Sequence, residues 1–261
     1  MGEKGIMIMG HGSTMAFNKA VMDLHAGILR EKGFENVHIG YNEFSYPSIS
    51  DKLEEMASAG IDDIVCLPFF IASGLHMTRD IPAKLGIPPL ASDAVSDVRG
   101  RKVRIRFEEP FGKDPVLTDI LRSKAEELDE GIDGAALLVM SHGSKLPHNM
   151  EIAEHHAAEL RKAGYRAYVA YNELNSPTIE ESVEAMLADG ARHIIALPLF
   201  MAMGKHLVAD IPPRIRLQGA DQRRGSFIHG GREVAVSYAH PVGSDRRLSD
   251  ILERKIRAHF G

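Results

Sequence analysis

The chain has 261 residues, enough for one large domain or two of ordinary size. Its 36 acidic and 31 basic residues leave a formal charge of −5 and a pI near 6.2, which argues against a dedicated nucleic-acid binder. A single cysteine, Cys66, excludes a disulfide framework, a thiolate zinc site and a Cys-ligated iron–sulfur cluster, and fits a reducing cytoplasm. The opening MGEKGIMIMGHGS has an apolar run too short for a signal peptide or a membrane span. Ile6 stands where a myristoylation signal would need Ser or Thr.

Taken in order, the first half predicts a strand over Ile6–Met9, a helix over Phe17–Lys32 and a strand over Val37–Tyr41. A helix over Pro47–Ala59, strands over Ile64–Phe70 and Val103–Phe107, and a helix over Pro115–Leu128 follow. The second half repeats the pattern, with strands near Ala136–Met140, Ala167–Tyr171, His193–Phe200 and Val234–Tyr238. Such alternation implies parallel strands joined by right-handed crossovers, with helices on both faces.

The chain is a tandem repeat. GHGS at Gly10 returns as SHGS at Ser141, and Asn18 as Asn149, both at an offset of 131. YNEFSYPSI from Tyr41 returns as YNELNSPTI from Tyr171, and LPFFIASGLHMTRDIP from Leu67 as LPLFMAMGKHLVADIP from Leu197, at 130. Near the ends of the halves, EPFGKDPVLTDILRSK answers HPVGSDRRLSDILERK. The expected organisation is two homologous lobes, residues 1–130 and 131–261, each a doubly wound α/β sheet, related by pseudo-twofold symmetry.

Ligands of such sheets bind outside the carboxyl ends of strands. His11, Glu43 and His76 fall there in the first half, and His142, Glu173 and His206 in the second. Neutral imidazoles beside a carboxylate can hold a divalent first-row metal loosely and can accept protons. Glu43 and Glu173 have two readings, a general base or histidine-orienting relay and a cap on the next helix. Asp80 and Asp210 are expected to brace their loop by bonding to backbone amides. Ser13 with Asn18, and Ser144 with Asn149, stand where helices begin; they can cap the helix, bind a carboxylate, or do both. His155 and His156 are expected on a solvated helix face, and Cys66 in the core.

These residues carry a specific resemblance. His-Gly-Ser with Asn18, the Glu43–Pro47 stretch, and Leu-Pro-x-Phe followed by Gly-x-His-x-x-x-Asp-Ile-Pro resemble the CbiX-type sirohydrochlorin chelatases, members of the class II chelatase fold, nearly throughout the chain and twice over. The resemblance implies a fused two-repeat form, a monomeric pseudo-dimer, binding sirohydrochlorin in the cleft between its lobes. It implies insertion of Co2+, Ni2+ or Fe2+, with no ATP and no tightly bound cofactor, by His11 and His76 and by His142 and His206. Cobalt is the favoured ion and cobalamin the favoured product line, with Fe2+ insertion for sirohaem, or a non-catalytic metal- or tetrapyrrole-binding protein, as alternatives. No nucleic-acid or membrane partner is expected.

The rims of the two halves differ. Thr14, Leu75 and Arg79 answer Lys145, Lys205 and Ala209. Lys145, Lys205 and Arg79 are expected to bind substrate carboxylates, and charge alone suggests that the second half grips substrate while the first delivers metal. Arg79 runs against that division. A histidine phosphatase would want an arginine before the first-strand histidine, where Gly10 and Ser141 stand.

Overall fold

The computed structural model describes residues 3–218 and 223–260, without the side chains of 147–149. The first sheet contains β1 (Glu3–Gly10), β2 (Val37–Tyr41), β3 (Ile61–Pro68), β4 (Asp93–Val98) and β5 (Arg101–Phe107), in the order β2-β1-β3-β5-β4. The second contains β6 (Ala135–Ser141), β7 (Ala167–Tyr171), β8 (His193–Pro198), β9 (Arg224–His229) and β10 (Arg232–Tyr238), in the order β7-β6-β8-β10-β9. All pairings are parallel except β4 with β5 and β9 with β10.

The central strands form because their apolar runs are buried on both faces. Ile6 to Met9 are buried in succession, as are Ala136 to Met140. Amphipathic helices cover these faces. In α1 (Ala16–Glu31), Met22, Ala26 and Leu29 point inward, and in α2 (Ile49–Ser58), Ile49, Leu53 and Met56 do. Their counterparts are α5 (Pro147–Lys162) and α6 (Ile179–Ala188). Cys66 is fully buried in β3, and burial pushes its thiol pKa up, so it is an inert core residue.

The antiparallel edge strands β4 and β9 are additions to the expected parallel set. Each is short and polar and buries little, so apolar periodicity does not reveal it. The hairpin turns leave a signal. Arg99 and Gly100, and again Gly230 and Gly231, have positive φ between paired strand ends, as a two-residue primed turn requires.

After β3 a π-helical turn, His76–Asp80, runs into the short helix α3 (Ile81–Leu85), and His206–Asp210 runs likewise into α7 (Ile211–Arg214). The Ile81 amide donates to the His76 carbonyl, and Ile211 to His206. Pro82 and Pro212 lack the amide that a continuing α-helix would bond four residues back, and a wider turn accommodates them.

The compact units do not coincide with the sequence repeats. One comprises Met1–Gly112 with Ser244–Gly261, and the other Lys113–Gly243. Helix α4 (Pro115–Leu128) therefore packs on α5 and β8, while α8 (Leu248–Phe260) packs on α1 and β3. Each repeat's final helix completes the other repeat's core. A buried histidine meets each exchanged helix: His25 Nδ1 lies 2.7 Å from Ser249 Oγ, and His156 Nδ1 lies 2.8 Å from Thr118 Oγ1. His156 is thus fully buried and not on a solvated face; only His155 keeps partial exposure. Among the described residues no helix is long and apolar enough to cross a membrane.

These paired bonds should contribute to stability individually. Ser249→Ala and Thr118→Val are each expected to lower the unfolding free energy by about 1 kcal/mol, measured by urea denaturation, whereas Ser249→Thr and Thr118→Ser should retain most of it.

Candidate metal site at the strand ends

The strand order reverses between β1 and β3, and between β6 and β8, which places a topological switch point at their carboxyl ends. His11 follows β1 directly. Its carbonyl accepts from the Glu43 amide at 2.8 Å, and the Gly10 carbonyl accepts from Asn42 at 2.8 Å. The loop after β1 is thereby stitched to the loop after β2. His142 and Ser141 accept from Glu173 and Asn172 at 2.9 Å in the second unit.

The glycine of each His-Gly-Ser is what permits that stitch. Gly12 has φ +88°, and a Cβ there would sit 1.7 Å from the Glu43 carbonyl oxygen. Gly143 has φ +92°, with the corresponding gap 1.8 Å. No side chain fits at either position.

Held this way, His11 and His76 bring their ring centroids to 4.9 Å, and His142 and His206 to 5.0 Å. Asp80 Oδ2 lies 2.9 Å from His76 Nδ1, and Asp210 Oδ2 lies 2.7 Å from His206 Nδ1. A carboxylate that accepts a hydrogen bond from Nδ1–H goes with a lone pair on Nε2, the tautomer a metal ligand or proton acceptor needs. The two aspartates therefore bond histidine side chains, and the expectation that they brace the loop through backbone amides is corrected. The i, i+4 spacing of His-x-x-x-Asp on one helical turn carries the signal for this pairing.

Glu43 and Glu173 do not cap the following helices. Ser48 caps α2 by accepting from the Asp51 amide, and Thr178 caps α6 in a reciprocal capping box with Glu181. Instead, Glu43, His76 and Asp80 place ligand atoms within 4.8 Å of one another, and so do His142, Glu173 and His206. Glu173 Oε1 lies 3.8 Å from His206 Nδ1. The tyrosines of both Tyr-Asn-Glu segments take no part in proton transfer near neutrality, because burial pushes Tyr41 and Tyr171 up to about 12.

Other contacts complete the neighbourhood. Asn42 Nδ2 lies 3.2 Å from His76 Nδ1, and Lys84 Nζ donates to Asn42 Oδ1 at 2.8 Å. In the second unit Arg214 replaces that lysine, donating to Asn172 Oδ1 at 2.9 Å and to Glu180. Phe44 sets its ring edge-on to His11 at 5.9 Å, a contact that single-residue motifs do not reveal. Phe44 is 67% exposed and Tyr46 79% exposed, and their counterparts are Leu174 and Ser176.

The residues expected to hold substrate are placed unevenly. Ser13 and Ser144 accept from the Met15 and Leu146 amides at 3.0 Å, so both hydroxyls first serve the turn that opens α1 and α5. Asn18 lies half-buried in the first turn of α1, and the Asn149 side chain lies outside the described residues. Lys145 and Lys205 are exposed. Arg79 is bound to Asp80, Nε to Oδ1, at 2.9 Å. That guanidinium, and secondarily His76, holds the Asp80 carboxyl below the usual carboxylate range.

The family model described as CbiX matches residues 5–128 and again 136–259. The chain belongs to the CbiX family. Within it, a Methanococcoides burtonii protein named sirohydrochlorin cobaltochelatase is 32% identical over 130 residues, 49% of this chain and 99% of its own length. The protein of the same name from Saccharolobus solfataricus is 32% identical over 124 residues, 48% of this chain and 94% of its own length. Among solved structures, SirB from Bacillus subtilis with Fe3+ superposes with a TM-score of 0.73 at 18% identity, covering 98% of this chain and 94% of that one. A CbiX structure, the terminal enzyme of sirohaem synthesis in denitrifying bacteria, gives 0.64 at 21% identity, covering 98% and 99%. These neighbours share the fold of this CbiX-family chain, two α/β lobes of the class II chelatase kind.

Gly12→Ala is expected to destabilise the protein by about 2 kcal/mol or more, from backbone strain and the blocked carbonyl together. Gly27→Ala, inside α1 with nothing within 4 Å of an added Cβ, should be neutral or slightly stabilising; thermal melts of both compare them directly.

Proposed function

We propose that the protein inserts a divalent metal ion into sirohydrochlorin, with Co2+ the favoured ion. The observation that carries this reading is the carboxylate-backed histidine pair at the switch point of each unit. The curated relatives' shared name supports the choice of substrate and of cobalt. Structures of Bacillus subtilis SirB hold Fe3+ and cobalt in turn, in keeping with donor sets of nitrogen and oxygen that do not by themselves select one first-row ion.

The reaction consumes M2+ and the metal-free macrocycle and yields the metallated macrocycle and two protons. Nothing in that balance requires ATP. His11, His76, His142 and His206 are the groups to ligate the incoming ion and then take up the pyrrole protons, with Asp80 and Asp210 holding His76 and His206 at Nδ1. Glu43 and Glu173 add negative charge that draws the ion in. Ser13, Asn18, Ser144, Asn149, Lys145, Lys205 and Arg79 are the groups to meet the substrate's carboxylates.

The test is anaerobic incubation of the full chain with sirohydrochlorin and Co2+, Ni2+ or Fe2+, following the absorption spectrum. Co2+ should give the fastest conversion, and the quadruple variant His11→Ala/His76→Ala/His142→Ala/His206→Ala should lose about 100-fold or more in kcat. His155→Ala should leave the rate unchanged. Binding of the tetrapyrrole with no metal incorporated would make the protein a carrier and sink the enzymatic reading.

A further inference from the structure

We infer that Phe44 and Leu174 contact the flat face of the macrocycle, each acting in its own unit as an apolar knob held rigid by a strained γ-turn. This rests on sirohydrochlorin being the substrate, as proposed above. The Ser45 amide donates to the Glu43 carbonyl at 2.7 Å, and the Asn175 amide to the Glu173 carbonyl at 2.8 Å, so each bond spans a single residue. The spanned residues, Phe44 and Leu174, have φ of +57° and +65°. A γ-turn closed around a positive φ is the rare, strained form. Glycine or asparagine relaxes it, whereas a bulky side chain does not.

The fold itself gains little from these side chains. Phe44 is 67% exposed and Leu174 62% exposed, so neither adds much to a core. What holds each turn is its flanks. The Glu43 amide bonds the His11 carbonyl at 2.8 Å, while Ser45 Oγ accepts from the Ser13 amide and donates to the Ser13 carbonyl, both at 3.0 Å. In the second unit the Glu173 amide bonds the His142 carbonyl at 2.9 Å, and Asn175 Oδ1 accepts from the Ser144 amide at 2.7 Å. Each knob is thus pinned on both sides to the His-Gly-Ser loop.

Strain and exposure alone do not make a site. Leu90 is 80% exposed at φ +63°, in a turn closed by the Ala91 amide on the Pro88 carbonyl at 3.2 Å, beside edge strand β4. Phe44 and Leu174 differ from it in recurring at the same place in both units and in being tied to a histidine loop. The Phe44 ring stands edge-on to His11 at 5.9 Å. An imidazole that takes protons from pyrrole nitrogens must stand over the centre of the macrocycle. An aromatic ring that close to it then meets the apolar pyrrole plane, not the carboxylate-bearing margin. Contact between π-systems is favourable there, and a knob that is already rigid loses little freedom on binding.

The test is binding of metal-free sirohydrochlorin to the full chain under anaerobic conditions, read by tetrapyrrole fluorescence, with thermal melts of the same samples. Phe44→Asn and Leu174→Asn should each weaken the affinity about tenfold. Both should melt at or above the wild-type temperature, because asparagine tolerates the turn. A merely structural role would move affinity and stability down together. Phe44→Leu should keep most of the affinity. The losses should persist at high salt, where contacts to carboxylates are screened. Leu90→Asn, matched in exposure and φ, should leave the affinity unchanged. Unchanged affinity in either knob variant, a melting temperature that falls with the affinity, or an equal loss in Leu90→Asn would each overturn the inference. Failure of the wild-type chain to bind sirohydrochlorin would overturn it as well. Binding that follows the expected pattern without metal insertion would sink the enzymatic reading and leave this inference standing, so the two failures are distinguishable.

Discussion

Everything at the strand ends depends on one close approach of backbone to backbone. The Glu43 carbonyl occupies the space where Gly12 would carry a side chain, while the Glu43 amide bonds the His11 carbonyl. Two loops that leave adjacent parallel strands are thus joined by their own main chains. This fixes the backbone from which the His11 and Glu43 side chains depart. Functional side chains on a rigid frame lose little entropy when a ligand arrives. The same contact recurs between Gly143 and Glu173, so the frame is a property of the fold and each unit has its own copy.

The second constraint is the turn that presents His76 and His206. Pro82 and Pro212 rule out an ordinary α-helix at that point, and the π-helical turn that replaces it ends with histidine and aspartate four residues apart on one side. Asp80 and Asp210 thus each lie against a histidine Nδ1. One local motif therefore sets an imidazole and a carboxylate side by side in each unit. Its surroundings differ at the residue before the aspartate: Arg79 bonds Asp80 in one copy, and alanine stands at 209 in the other.

Much of this was legible in the sequence because of how the fold buries its chain. Central strands such as Ile6–Met9 and Ala136–Met140 read as uninterrupted apolar runs, since both sheet faces are covered. The histidines and glutamates stood out by recurring at an offset of 130 or 131 immediately after such runs. Edge strands β4 and β9 were illegible by the same logic, since an edge buries few side chains and charged residues suffice there. His156 misled for a different reason. Helical periodicity tells which residues share a face, but a polar residue on the inward face is recognisable only when its partner is known, and Thr118 lies 38 residues away.

The exchange of final helices was hidden for a related reason. An amphipathic pattern shows that Leu117, Ile120 and Leu121 must be buried, and Leu248, Ile251 and Leu252 likewise, without showing on which sheet. The exchange has a consequence for how two copies can diverge. A cut at the repeat boundary would strip a core helix from each unit, so the core and the two histidine–hydroxyl contacts are constrained jointly across both repeats. Residues on the rims carry no such obligation. Differences between the copies lie there, at exposed positions: Leu75 against Lys205, Tyr46 against Ser176, and Arg79 against Ala209. A duplicated fold whose cores depend on each other, and whose rims do not, can specialise one histidine cluster without loosening the frame that holds the other.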